Sequence, residues 1–519
     1  MDRGVAAGGR SPTTRRRDHG SGDVLGERLM SSFFPYTAVR ETHSGVVVLI
    51  GDRALKVKKP VDLGFLDFRS RASRETACRR EVELNRRLAP DVYQGVATFP
   101  DVDGGAGEPV VVMRRMPDER RLTTLVQAGQ PLGDVMVRLA RMVAALHAAA
   151  RRAPEIAAEG RRDSVRDRWL ASFRQVTPFH GTVLDPAVAI EIERLACEFL
   201  AGRGALFERR VADGRIVDGH GDLICDDICC LPDGPRVLDC LEFDDRLRYL
   251  DGLDDIAFLA MDLEHLGAGE LAGMLLDRYA GFAGDPAPPS LRHHYIAYRS
   301  FVRAKINCIG HAQGDSAAAE TARAYAALTL RHLRAGAVRL ILVGGLPAAG
   351  KSTVAGLVAD QLGAVLLSTD HLRKEMAGIS ALSTAADGYR HGIYDRDHTE
   401  RTYVELLHRA GKLLGVGESV VLDASWTHAR FRALASGAAT RTQAQLCCAE
   451  CWVPSAVRRS RLTARRDGAS DADQQVAARM AADADPWPHA VRLCTTGSPA
   501  TALQQLWPRV GVTDGAVPD

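Results

Sequence analysis

The segment with the clearest potential for chemistry is a glycine-rich stretch that follows an apolar run near residue 340. It has the spacing Gly-x-x-x-x-Gly-Lys-Ser and continues into a segment with helical periodicity. Glycines at these positions let backbone N–H groups turn inwards around a phosphate, where the start of the following helix adds positive potential. The lysine then reaches the outer phosphates, and the serine offers a hydroxyl group to Mg²⁺. The residues predicted to bind a nucleotide are Gly345, Leu346, Pro347, Ala348, Ala349, Gly350, Lys351, Ser352 and Thr353, with Ser352 also a metal ligand.

Charged residues after the next two predicted strands could complete a phosphoryl-transfer site. Asp370 and Arg373 are one helical turn apart, so their side chains are predicted to face the same side. Asp370 could orient or deprotonate an acceptor hydroxyl group while Arg373 holds an anionic group, but Asp370 could also simply cap the next helix. Asp423 ends a third apolar run, where it could hold the hydration shell of Mg²⁺ or serve as a turn residue.

An arginine-rich stretch at residues 458–466 is a candidate lid over this site. Clustered arginines can close over a phosphoryl group during transfer, and Arg461 and Arg465 are the residues predicted to do so. Solvent-exposed charge on a helix is the alternative reading of such a run.

A second concentration of acidic residues begins with His-Gly-Asp at 220–222. Two short apolar runs follow, joined by a Pro-Asp-Gly-Pro turn, which predicts a β-hairpin. Asp227 and Asp239 lie about equally far from that turn, so strand pairing would place their carboxylates side by side. Such charges repel unless a cation lies between them, which predicts a Mg²⁺ site. Asp222, on the loop before the hairpin, would then accept the proton of a substrate hydroxyl group.

The elements that must position these groups can be recognised from the periodicity of the sequence. Residues 46–60 predict two strands around a Gly-Asp turn, and alternation places Lys56 and Lys58 on one face of the second strand. Residues 138–150 carry apolar side chains at helical spacing, as a core helix does.

Length and composition restrict the class of protein. At 519 residues the chain is too long for one hydrophobic core, and its 46% hydrophobic and 25% charged residues are typical of globular proteins. Lys plus Arg (67) nearly equals Asp plus Glu (65), so no overall charge favours nucleic acid or anionic lipid. No apolar run approaches the roughly 20 residues that a membrane span needs, and the scattered cysteines are typical of reduced thiols in the cytoplasm.

Two family resemblances follow from these motifs. The Gly345 to Ser352 loop, the Asp-x-x-Arg at 370–373, Asp423 and the arginine stretch resemble the small P-loop kinases of the gluconate kinase, polynucleotide kinase and zeta-toxin type, over roughly residues 336–519. In that family the aspartate contacts the phosphate acceptor, and this implies the same role for Asp370.

The His-Gly-Asp block and its hairpin resemble the aminoglycoside phosphotransferase and choline kinase family, over roughly residues 31–310. The resemblance implies that Asp222 is the catalytic base and that Asp227 and Asp239 bind the metal. It also implies that Lys56 holds the α and β phosphates and is steadied by Glu81, although Lys58 on the same face stays an alternative. The family normally has Asn at the position of Asp227, so an additional negative charge is present here.

The sequence therefore predicts a chain of α/β and α+β class with two folded domains. A disordered tail at 1–30 precedes a bilobal protein-kinase-like domain at 31–335, with a small lobe at about 31–116 and a large lobe at about 117–335. A P-loop NTPase domain with a parallel sheet follows at 336–519, and the combination resembles a bacterial fusion of two kinases.

The predicted function is a cytoplasmic phosphotransferase with two sites for ATP and Mg²⁺, which acts on small hydroxylated metabolites and has no nucleic-acid or membrane partner. The alternative is a regulatory ATP-binding protein or ATPase whose first domain is catalytically weakened, which Asp227 favours. A nucleic-acid end kinase is a third hypothesis, favoured by the Asp-x-x-Arg motif and disfavoured by the balanced charge.

Overall fold

The computed structural model describes residues 36–41, 44–62, 67–101, 104–378, 395–464 and 474–510. The predicted tail at 1–30 and the candidate lid residue Arg465 lie outside these ranges. Within the same ranges, no helix combines the length and the apolar character that a membrane span requires.

The first unit of the chain is a small lobe in which one helix packs on an antiparallel sheet. Its elements are β1 (Thr37–Glu41), β2 (Gly45–Ile50), β3 (Arg53–Lys58), α1 (Arg71–Asn85), β4 (Tyr93–Phe99) and β5 (Glu108–Arg114). The strand order is β1-β2-β3-β5-β4 in the described residues. The predicted Gly-Asp turn joins β2 to β3, and apolar side chains of α1 such as Val82 pack against Val111 of β5.

A mainly helical large lobe follows. Its helices are α2 (Leu122–Gln127), α3 (Gly133–Ala149), α4 (Pro154–Glu159), α5 (Arg162–Val176), α6 (Pro186–Gly202), α7 (Gly204–Ala212), α8 (Gly252–His265), α9 (Gly269–Ala283), α10 (Pro289–Ala312) and α11 (Ala318–Ala335). Its strands are β6 (Ile216–Asp218), β7 (Ile228–Leu231), β8 (Gly234–Val237) and β9 (Tyr249–Asp251). β7 pairs with β8 as the predicted hairpin, and β6 pairs with β9, so the segment that carries Asp222 runs between two short antiparallel ribbons.

The last unit is a parallel sheet with helices on both faces. Its elements are β10 (Arg339–Gly344), α12 (Lys351–Leu362), β11 (Val365–Ser368), α13 (Thr369–Met376), α14 (Arg396–Gly415), β12 (Val420–Asp423), α15 (Ala429–Arg441), β13 (Gln445–Trp452), α16 (Ser455–Ala464), α17 (Gln474–Ala482), β14 (Val491–Cys494) and α18 (Pro499–Val510). The strand order is β11-β12-β10-β13-β14 in the described residues. Every residue of β10 and β12 is buried, which accounts for their continuous apolar sequence. The predicted fold class is confirmed.

The large lobe and the parallel-sheet unit pack against each other through apolar side chains. Phe207 of α7 and Leu414 of α14 belong to one continuous buried cluster. Polar contacts border it, since the Ser290 hydroxyl donates to the Gly417 carbonyl at 2.7 Å and the Arg203 guanidinium to the Thr442 carbonyl at 2.7 Å. Cutting the chain between the units would expose this cluster, so function is best tested in the full chain.

Candidate active sites

The small lobe brings a lysine between two carboxylates at the boundary of the two lobes. Lys56 Nζ lies 2.9 Å from Glu81 Oε1 on α1 and 2.5 Å from Asp239 Oδ1 in the large lobe. Burial would lower the pKa of Lys56, but the negative charges of Asp239 and Glu81 outweigh this and raise it well above its usual value. Lys56 therefore stays charged at neutral pH, as a phosphate-binding lysine must.

Lys58 also contacts Glu81, as expected for a side chain on the same face of β3 as Lys56, but its second partner is a different carboxylate. Its Nζ lies 2.6 Å from Glu81 Oε2 and forms a second ion pair with Glu242, which the sequence analysis did not identify. The Lys58 side chain is 1% exposed, so it is enclosed between two carboxylates. Lys56 is the lysine of the two that also contacts Asp239, and this geometry favours Lys56 for phosphate binding.

The acidic hairpin differs from the prediction in one detail. Asp227 ends a 3-10 turn before β7, and Asp239 follows β8 with a left-handed φ of 59°. The residue opposite Asp227 is Leu238, whose N–H donates to the Asp227 carbonyl at 2.9 Å. The prediction of directly opposed Asp227 and Asp239 is therefore wrong by one position, because the chain leaves the strand conformation at Asp239.

The carboxylates of this hairpin suit a hard divalent cation. Burial, followed by the charges of Asp239 and Asp222, raises the pKa of Asp227 well above its usual value. A cation would relieve this repulsion, and carboxylate oxygens are the ligands that Mg²⁺ prefers. No cluster of three or more His, Cys, Asp or Glu side chains in the described ranges forms a metal site by itself. The donor set thus fits a metal whose remaining ligands come from a nucleotide and water.

The loop that carries Asp222 is held by a carboxylate from α8. Asp255 accepts hydrogen bonds from the backbone N–H of His220 at 2.7 Å and of Gly221 at 2.9 Å, and from His147 Nε2 at 2.9 Å. Asp255 is not among the residues predicted from the sequence, although it lies at the end of a run of acidic residues in the same block. Burial raises the pKa of the positioned Asp222 to about 6.

The glycine-rich segment forms the predicted loop between β10 and α12. Gly345 has a φ of 132° and Gly350 a φ of 83°, and Ala348 between them is also left-handed with a φ of 58°. Lys351 lies at the first residue of α12 and its Nζ donates to the Leu346 carbonyl at 3.3 Å. The nine predicted residues from Gly345 to Thr353 therefore form the loop after β10 and the first residues of α12.

Charged side chains from the neighbouring strand lie beside this loop. Burial raises the pKa of Asp423, while Lys351 and a hydrogen bond from Ser352 oppose the rise. Asp423 ends β12, which is directly adjacent to β10, so Asp423 and Ser352 meet as a metal-binding pair would.

Asp370 lies in the first turn of α13 rather than at the end of β11, and its carboxylate is 3.2 Å from Arg373 Nη1. The N-cap of α13 is Ser368, so Asp370 does not cap the helix.

Arg461 of α16 lies against the phosphate-binding loop. Its guanidinium donates to the Thr495 carbonyl at 2.6 Å and to the Ala348 carbonyl at 3.5 Å. Thr495, which the sequence analysis did not identify, also donates through Oγ1 to the Ala349 carbonyl at 2.7 Å. The chain after β14 therefore supports both the loop and the candidate lid arginine.

Part of the chain matches a known family model, and nearly all of it matches two mycobacterial proteins. The family model described as AAA domain matches residues 340–487. A Mycobacterium tuberculosis protein named Uncharacterized protein Rv2004c is 42% identical over 473 residues, which cover 91% of this chain and 95% of that protein. Its Mycobacterium bovis counterpart, Uncharacterized protein Mb2027c, matches with the same identity and coverage.

Among solved structures, a choline/ethanolamine kinase family protein from Mesorhizobium loti is 15% identical and covers 59% of this chain and 95% of its own, with a TM-score of 0.36. The GDP and kanamycin complex of APH(2")-IIia is 16% identical and covers 58% of this chain and 92% of its own, with a TM-score of 0.37. A gluconokinase from Sinorhizobium meliloti is 15% identical and covers 34% of this chain and 91% of its own, with a TM-score of 0.25.

Proposed function

We propose that this chain, which belongs to the same family as the Mycobacterium tuberculosis protein Rv2004c, is an ATP-dependent phosphotransferase with two nucleotide sites. The observation that carries the proposal is the contact of Lys56 with both Glu81 and Asp239, which joins the two lobes at one point. A buried lysine in that place is positioned to bind the phosphates of ATP once a cation occupies the acidic hairpin.

In the first site, Asp222 is proposed to accept the proton of an acceptor hydroxyl group. The hydroxyl oxygen forms a bond to the γ-phosphorus of ATP as the bond from that phosphorus to the β–γ bridging oxygen breaks, and ADP leaves with the bridging oxygen. Asp255 acts through the loop, because it fixes the N–H groups of His220 and Gly221 beside Asp222. Lys56 balances the charge of the nucleotide phosphates.

In the second site, the backbone from Gly345 to Thr353 is proposed to surround the phosphates of a second ATP, with Lys351 on the outer phosphates. Asp370 orients the acceptor hydroxyl group, and Arg373 and Arg461 bind anionic oxygens; Arg465 remains a candidate for the same role. The ion pair of Asp370 with Arg373 supports this assignment, because it holds a carboxylate and a cation together near the loop.

Mg²⁺, held by Asp227 and Asp239 in the first site and by Ser352 and Asp423 in the second, would neutralise phosphate charge during transfer. The oxygen-rich character of both donor sets supports this choice of metal. We propose a cytoplasmic location because ATP and Mg²⁺ are available there.

The two sites can be separated by single substitutions in the full chain. Asp222→Asn and Lys351→Ala should each lower the rate of one phosphoryl transfer by about 10²–10⁴-fold and leave the rate of the other within about twofold of its original value. ATP turnover against a panel of hydroxylated metabolites, with products identified by mass spectrometry, measures both. If neither substitution lowers any ATP-dependent transfer, the proposal is wrong.

A regulatory nucleotide-binding protein is the second candidate, and Asp227 is the observation that favours it. An aspartate at this position adds negative charge where the phosphates must approach, which weakens catalysis in the first site. In that case ATP turnover would depend on Lys351 and would not change in the Asp222→Asn chain.

A further inference from the structure

Helix α10 lies against the loop that carries the proposed base, Asp222. Arg299 of α10 donates to the carbonyl of Gly221 at 3.3 Å. The same guanidinium makes two hydrogen bonds to the carboxylate of Asp254, at 2.7 and 3.0 Å. The charge of Arg299 is therefore neutralised by Asp254, and the hydrogen bond of Arg299 to Gly221 fixes the position of α10 relative to the loop.

Arg303 lies one helical turn further along the same face of α10. Unlike Arg299, it forms no ion pair with a carboxylate in the part of the chain that the structure describes. Its Nε is buried and has no hydrogen-bond partner. Its guanidinium lies 5.9 Å from the ring centroid of Tyr325, which stacks on His265 at 4.0 Å. A buried guanidinium N–H without an acceptor is costly, so this arrangement points to an acceptor that a ligand supplies.

The cations of the first site are divided between its two sides. Lys56 contacts Asp239 at 2.5 Å, on the side of the metal-binding hairpin. Burial raises the pKa of Asp222, and Arg303 is the charge that opposes this rise most. Arg303 is therefore the cation on the side of Asp222. The acceptor hydroxyl group has to lie on this side if Asp222 is the base.

We propose that Arg303 binds an anionic group of the acceptor, so that the first site phosphorylates a hydroxylated compound that carries a carboxylate or a phosphate. The inference rests on the proposed function of that site. A cationic amino alcohol is disfavoured, because its ammonium group would meet the Arg303 guanidinium at short range.

The test uses three-carbon compounds that differ in charge and share hydroxyl groups. Glycerol, glycerate, glycerol 3-phosphate and 3-amino-1,2-propanediol are offered to the full chain carrying Lys351→Ala, which silences the second site. ATP turnover, product mass and direct binding by calorimetry are measured in this background and with Arg303→Gln or Arg303→Lys added. Arg292→Gln, which removes a half-buried guanidinium that pairs with Asp277 near the start of the same helix, is the matched control.

The anionic compounds should be better substrates or competitive inhibitors than glycerol, and the amine should be the poorest. Arg303→Gln should weaken the anions by about 10–100-fold in KM or Ki with little effect on glycerol, and Arg303→Lys should restore part of the loss. Arg292→Gln should change neither value. Equal effects of Arg303→Gln on all compounds, or no binding of either anion, would overturn the inference.

Two further results distinguish recognition of the acceptor from a different role for Arg303. If Arg303→Gln slows ATP hydrolysis with water as the acceptor to the same extent, Arg303 acts on the transferred phosphoryl group and the inference is wrong. If Asp222→Asn changes no transfer at all, the proposed function fails, while calorimetric binding of glycerol 3-phosphate that depends on Arg303 would still support an anion site.

Discussion

Replacing Asp255 by Asn should loosen the loop that carries Asp222. The Asp255 side chain is 0% exposed and accepts three hydrogen bonds, from His147, His220 and Gly221. His147 is itself held by the Tyr279 hydroxyl at 2.9 Å on its other ring nitrogen. If the Tyr279 hydroxyl donates to His147 Nδ1, then His147 Nε2–H donates to Asp255, and each group in this hydrogen-bond network has a partner.

The size of the effect follows from these bonds. An Asn side chain keeps one accepting oxygen, while its NH₂ group faces at least one of the three donors. The substitution removes one hydrogen bond to a charged group, worth about 1.5–3 kcal/mol, and leaves a buried donor unsatisfied at about 1–3 kcal/mol. We therefore expect local stability around 216–224 to fall by about 2.5–6 kcal/mol.

The same carboxylate predicts a pH dependence. Burial alone would raise the pKa of Asp255, but the hydrogen bond from His147 and the nearby His147 and His220 rings lower it below its usual range. Because the folded-state pKa is depressed, Asp255 contributes its full stability above the unfolded-state pKa of about 4. That contribution is lost as the pH falls below 4, and the Asn variant should not show this dependence.

Hydrogen exchange of peptides covering 216–224 measures the effect directly. In Asp255→Asn the amides of His220 and Gly221 should exchange at least about 70-fold faster, and Asp222-dependent phosphoryl transfer should fall with them. Asp277→Asn, which changes an exposed carboxylate, is the control and should leave both unchanged. Unchanged protection of these two amides would refute the assignment of Asp255 as the residue that positions the loop.

Four further substitutions test the other parts of the structure. Lys56→Met should lower first-site turnover by about 100-fold or more, whereas Lys58→Met should mainly destabilise the small lobe, by about 3–5 kcal/mol, because it leaves the buried Glu242 without its ion-pair partner and Glu81 with Lys56 alone. Gly345→Ala should abolish nucleotide binding at the P-loop, measured by calorimetry, since its Cβ would collide with the Cys451 carbonyl at a φ of 132°. Arg203→Met should lower the unfolding temperature in calorimetry, because it removes the hydrogen bond from the large lobe to the parallel-sheet unit.

Each of these substitutions is compared with a control variant or with its partner substitution. Equal loss of activity and equal stability in the two lysine variants would contradict their separate roles. Gly356→Ala, on the surface of α12 where an added Cβ meets no atom within 4 Å, should bind nucleotide normally, and loss of binding there would indicate a general effect. Arg194→Met removes exposed ion pairs of the large lobe and should leave the unfolding temperature within about 1 °C, in contrast to Arg203→Met.

Local patterns in the sequence were sufficient for the fold class and for the segments that bind phosphate. The continuous apolar runs of β10 and β12 predict a buried parallel sheet, and the glycine spacing at 345–350 specifies a backbone conformation that few other residues adopt. Alternation along β3 also predicts that Lys56 and Lys58 share a face, which is a property of any strand. These features depend on neighbours in the chain, so they are encoded within short windows.

Other parts of the site were decided by contacts between distant segments. Asp255 lies 35 residues beyond His220, and Glu242 lies 184 residues beyond Lys58, so no local spacing identifies either partner. The choice between Lys56 and Lys58 likewise depends on where the large lobe places Asp239, and the left-handed turn at Asp239 shifted the expected hairpin pairing by one position.

The sequence by itself determined which groups are available for phosphate, metal and proton chemistry, because backbone preferences and side-chain periodicity act over a few residues. Only the tertiary structure decided which of these groups meet, which carboxylates are buried together, and that Arg303 lies on the side of the base. Charge interactions and burial depend on distance in space, and folding sets that distance between segments far apart in the chain.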